Sequence, residues 1–124
     1  MSEKTILYVE DNEYNRKIVR QLLSRTSYRL IEATDGEGGV AMAQQELPNL
    51  VLMDVQLPKM SGLDATRVIR SDPRTSHIPI IIITSFALSG DREKAAEAGA
   101  DSYLAKPYSP RELLALVRQY LPES

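Results

Sequence analysis

Apolar residues in this chain come in five short runs, ILYV (6 to 9), YRLIEA (28 to 33), LVLM (50 to 53), IPIIIIT (78 to 84) and SYLA (102 to 105). Runs one, three and four are apolar on consecutive rather than alternate residues. That is the pattern of strands covered on both faces in a parallel sheet. Between the runs, apolar residues fall at helical spacing: Ile18, Val19, Leu22 and Leu23 within residues 12 to 25, and Leu113, Leu116, Val117 and Tyr120 within residues 110 to 121.

Helix boundaries are legible as well. Ser109, Pro110 and Glu112 make a capping box with proline at the first helical position, and Ser61 with Asp64 makes a similar start. Asp35 is the expected cap of a helix that opens in the glycine-rich DGEGG, residues 35 to 39, which lacks the lysine and spacing of a phosphate-binding loop. Residues 89 to 98, alanine-rich and followed by Gly99, predict one more helix with its stop. Strands alternating with helices imply right-handed crossovers and a doubly wound α/β sandwich with helices on both faces. Five strands suit the flavodoxin-like order 2-1-3-4-5.

The polar residues that end the strands supply the candidate chemistry. Glu10 and Asp11 follow the first strand, Asp54 the third, Thr84 and Ser85 the fourth, and Lys106 the fifth. In an open parallel sheet these ends share one edge, where ligands bind at the reversal of strand order. Carboxylates gathered there repel one another unless a cation joins them. Oxygen ligands suit magnesium, which keeps several waters and completes its shell with phosphate oxygens. An aspartate can attack a phosphoryl group to give an acyl phosphate while a metal, a lysine and a hydroxyl neutralise the equatorial oxygens. Asp54, Lys106 and Thr84 offer those parts. Each has a plainer use alone: Asp11 as a helix cap, Lys106 as a solvated cation, Thr84 as an ordinary strand residue.

With these motifs in order, VED at 9 to 11, LMDVQLPKMSG at 52 to 62, ITS at 83 to 85 and KP at 106 to 107, the sequence resembles a receiver domain of two-component response regulators over residues 1 to 124. The resemblance implies that Asp54 accepts phosphate from a sensor histidine kinase or histidine phosphotransfer protein. It also implies magnesium held by the acidic pair Glu10 and Asp11, by Asp54 and by the Gln56 backbone carbonyl. By the same resemblance Lys106 and Thr84 bind phosphate, Thr84 and Tyr103 form a switch pair that alters a partner-binding face for a downstream protein effector, and Pro107 follows a cis bond. Glu10 stands where many family members carry aspartate. Gln56 and Phe86 occupy positions that influence phosphate lifetime in the family.

Composition narrows the setting. A formal charge of −2 and a pI near 5.4 give no basic field for nucleic acid or anionic membrane. No cysteine is present, and no run approaches the ~20 apolar residues of a membrane span. These features, with Met1 at the start, lead to the expectation of a cytoplasmic, stand-alone, single-domain regulator, monomeric or weakly dimeric. His77, the only histidine, is expected at the surface. Tyr108, just after Pro107, is expected to be exposed. The rival readings are an adaptor that keeps the fold without phosphorylation, and a magnesium phosphohydrolase. The latter usually needs a second acid where Gln56 stands.

Overall fold

In the computed structural model, residues 4–85 and 91–122 are described, and strands and helices alternate along the whole of them. The order is β1 (Thr5–Val9), α1 (Glu13–Leu23), β2 (Arg29–Ala33), α2 (Gly36–Glu46), β3 (Leu50–Asp54), α3 (Gly62–Ser71), β4 (Ile80–Thr84), α4 (Asp91–Ala98), β5 (Ser102–Ala105) and α5 (Pro110–Tyr120). Every strand pairing is parallel and the sheet order is β2-β1-β3-β4-β5. The expected doubly wound, flavodoxin-like architecture is the one observed.

Strand alternation divides the core in two. Ile6 and Tyr8 of β1, Leu50 and Leu52 of β3, and Ile81 and Ile83 of β4 pack with Val19 and Leu23 of α1 and with Leu113 and Val117 of α5. Leu7, Val9, Val51, Met53, Ile80 and Ile82 face the other way, onto Ala43 of α2, Ala65 and Ile69 of α3, and Ala95 of α4. Both faces of β3 and β4 are therefore dry, which is why their sequences are apolar without alternation.

Helix starts follow the side chains predicted for them. Asp35 accepts from Gly38 N, Ser61 from Asp64 N, and Ser109 forms the full capping box with Glu112. At α1 the cap is Asn12, whose side chain accepts from Asn15 N at 3.0 Å, so Asp11 is not used as a cap. The fourth apolar run begins pairing only at Ile80, because Pro79 has no N–H to donate and Ile78 closes a turn onto Thr75 O. Of the helix expected over 89 to 98, the first two positions lie outside the described residues, as does Phe86.

The β3–α3 connection is the tightest point of the fold. Gly62 N donates to Val55 O at 2.9 Å, and a Cβ at Gly62 would lie 1.9 Å from the Asp54 carbonyl oxygen. Backbone cannot yield as a side-chain tip can. Gly62→Ala is expected to cost at least about 2 kcal/mol in chemical denaturation. A loss under about 0.5 kcal/mol would show that the connection relaxes freely.

Candidate active site

Pairing of β1 with β3, Val9 opposite Met53, brings the chain just after β1 beside the end of β3 at the reversal of strand order. Glu10 and Asp54 are buried there, at 1% and 4% exposure, whereas Asp11 is exposed. Oxygens of Glu10, Asp11 and Asp54 lie within 4.8 Å of one another. Lys106 reaches in from the end of β5, with Nζ 2.8 Å from Glu10 Oε1 and 3.3 Å from Asp54 Oδ2. The Lys106–Pro107 peptide bond is cis, and Lys106 N donates to Thr84 O at 2.7 Å.

The sequence-predicted residues thus divide into two groups. Glu10, Asp11, Asp54 and Lys106 form one cluster. Gln56 stands at its rim: its backbone N donates to Asp54 Oδ1 at 3.1 Å, and its exposed side chain accepts from Ser85 Oγ at 3.2 Å. Thr84 is buried at the end of β4. Tyr103 lies lower in the sheet, paired with Ile82, half-buried, with the Arg92 guanidinium 5.0 Å from its ring centroid. His77 is exposed, but Tyr108 is not: it is half-buried against the Tyr8 side of the core, because the chain after Pro107 turns back toward α1.

Several supporting residues carry no motif. The Tyr8 hydroxyl and Asn15 Nδ2 both donate to Glu10 Oε1, at 3.2 and 3.1 Å, and Asn12 N donates to Oε2 at 3.3 Å. Arg16 holds the Glu10 carbonyl at 2.9 Å while pairing with Glu13 and Glu32. The one trace of these contacts in the sequence is the Tyr8–Glu10 spacing of two residues, which puts both on one face of the strand.

Two buried acids beside one cation cannot both ionise cheaply. Burial first, then the neighbouring Glu10, push Asp54 from about 3.8 up to about 7, against the pull of Lys106. Burial opposes ionisation of Glu10 too, but a hydrogen bond from Asp54 and the Lys106 ammonium outweigh it and hold that carboxyl down at about 2. Lys106 is desolvated, yet its contacts with Glu10 and Asp54 raise it overall. These opposite directions, Asp54 up and Glu10 down, favour one proton on the pair below about pH 7, on the Asp54 side. The oxygen-only donor set and its close spacing fit a hard divalent cation, which would displace that proton.

Comparison with known proteins gives the chain a family. The profile of the response regulator receiver domain matches residues 6–118. The chain belongs to that family. It is 36% identical over 121 residues to the polar-differentiation response regulator DivK of Brucella anthropi, covering 98% of each. The receiver domain of sensor histidine kinase PA1611 from Pseudomonas aeruginosa PAO1, which has magnesium coordinated in its active-site cleft, superposes with a TM-score of 0.89 at 37% identity, over 96% of this chain and 98% of that one. Chemotaxis protein CheY4 of Vibrio cholerae superposes at 0.90 with 26% identity, over 97% and 100%. This is a signalling family of two-component systems. Among the described residues no helix is long and apolar enough to cross a membrane.

The shared proton has a measurable consequence. Because Asp54 titrates higher in the fold than near 3.8, its contribution to stability is complete below that value and is lost as pH rises through about 7. Glu10 runs the other way, stabilising above about 4.5 and losing that contribution as pH falls through about 2. Without metal, Asp54→Asn is therefore expected to be more stable than wild type by on the order of 2 kcal/mol at about pH 8, the gap closing toward about pH 4. Denaturant titrations with a chelator present measure it; equal stability at the higher pH would contradict the shared proton.

Proposed function

We propose that Asp54 is the phosphoacceptor of a phosphorelay, taking a phosphoryl group from a phosphohistidine on a sensor histidine kinase or histidine phosphotransfer protein. The observation that carries this reading is a buried aspartate at the sheet's carboxyl edge, bracketed by Glu10, Asp11 and the Lys106 ammonium. In the reaction a carboxylate oxygen of Asp54 forms the new bond to phosphorus as the P–N bond breaks, and the departing imidazole keeps the electron pair. Asp54 must lose its proton to attack. Lys106, already within reach, stabilises the negative charge it leaves and then the phosphoryl oxygens.

Magnesium would be held by Asp11, Asp54 and the Gln56 carbonyl, with Glu10 beside it. Bound there it supplies charge neutralisation for the phosphoryl oxygens. The magnesium in the cleft of the Pseudomonas receiver domain supports that assignment. Thr84 is the hydroxyl that would bind phosphate, and strand alternation gives Thr84 and Tyr103 the same face, which supports their working as a switch pair. Movement of Tyr103 would then change the surface around β4, α4 and β5 that a downstream protein effector reads.

Incubation with acetyl phosphate and magnesium, followed by intact mass, tests the reading. Wild type should gain one hydroxylamine-labile phosphoryl adduct, absent from Asp54→Asn and from a metal-free sample. If folded wild type gains no adduct and binds no beryllofluoride, a phosphorylation-independent adaptor role replaces this one.

A further inference from the structure

Tyr8 is completely buried in the middle of the sheet, and the only described polar contact of its hydroxyl with an ionised group is with Glu10. Burial, followed by the neighbouring Tyr108 and Glu10, pushes its phenol far up, so it is a neutral donor at any ordinary pH. Glu10 Oε1 therefore receives three donors: Lys106 Nζ at 2.8 Å, Asn15 Nδ2 at 3.1 Å and Tyr8 OH at 3.2 Å. That is more than its two lone pairs accept at full strength. The arrangement is over-provided while Lys106 is at rest.

It stops being over-provided once Lys106 moves. If Lys106 turns to the phosphoryl group, the Glu10 carboxylate, at 1% exposure, loses the one side-chain cation paired with it among the described residues, and beside the magnesium it relies on its neutral donors. A buried carboxylate stripped of donors pays the desolvation cost in full. We propose that Tyr8 and Asn15 are positioning residues for phosphoryl uptake: they hold Glu10 and keep its charge satisfied, so that Lys106 can leave it for the phosphoryl group. This inference rests on the reading of Asp54 as phosphoacceptor. It also ties the site to the cleft of about 450 Å³ lined by Asn15, Ile18, Lys106 and Tyr108, because Asn15 and Lys106, both bonded to Glu10, stand in its wall.

The test uses Tyr8→Phe, which keeps the ring and removes only the hydroxyl, and Asn15→Ala, at a helix position where the fold is not at risk. With acetyl phosphate, an Asp54 oxygen bonds to phosphorus as acetate leaves with the electron pair of the broken P–O bond. The second-order rate constant for this step at saturating magnesium is expected to fall about tenfold in each variant, the equivalent of one hydrogen bond to a charged group. The magnesium Kd, measured separately by calorimetry, should stay within about twofold of wild type. An unchanged rate constant in either folded variant overturns the proposal. A rate loss matched by an equal weakening of magnesium binding also overturns it, since that marks a site merely loosened by repacking. If wild type itself takes up no phosphoryl group, the phosphoacceptor reading fails and takes this inference with it.

Discussion

The structure is organised around a buried carboxylate pair that one lysine cannot fully neutralise. Glu10 and Asp54 are brought together because β1 and β3 are neighbours in the sheet while being separated in sequence by β2. Lys106 comes from the far edge strand and reaches both. Hydrophobic packing stabilises the fold, but it does so by placing these groups out of water, where their interaction is strongest and most costly to leave unpaired. Much of what surrounds the site serves that electrostatic problem: Arg16 on the Glu10 carbonyl, the Gln56 amide on Asp54, and Tyr8 with Asn15 on Glu10.

The same unresolved charge makes the site responsive. A carboxyl held protonated near neutrality is a poor nucleophile, but it gives up its proton readily when a cation arrives. On the proposed reading, the stability withheld from the resting protein would then be available to metal and phosphoryl binding. Gly62 matters from the backbone side, since its missing Cβ lets α3 begin against the Asp54 carbonyl.

Much of this was legible in the sequence. Consecutive apolar residues at 50–53 and 80–83 disclosed strands dry on both faces, and their common polar endings disclosed a single edge. The cluster of Glu10, Asp11, Asp54 and Lys106 follows from that edge alone. Other features depended on distances that no one-dimensional pattern contains. Asn12 rather than Asp11 caps α1 because the helix begins at Glu13, and the partial burial of Tyr108 comes from its packing on the Tyr8 side of the core. Pro79 delayed the start of β4 by removing a donor that the hydrophobic pattern cannot register. Tyr8 sat inside an apolar run, where an aromatic reads as core, and its hydroxyl gained meaning only when Glu10 was seen above it on the same face.

The most direct measurement is the proton released when magnesium binds. Calorimetric titrations at about pH 6, in two buffers of different ionisation enthalpy, report it. If the carboxylate pair shares one proton, release approaches about one per magnesium there, falls toward zero at about pH 8.5, and is lost in Asp54→Asn. Magnesium binding with no proton release at about pH 6 would mean that both carboxylates are already ionised at rest, and would contradict the electrostatic basis of the site.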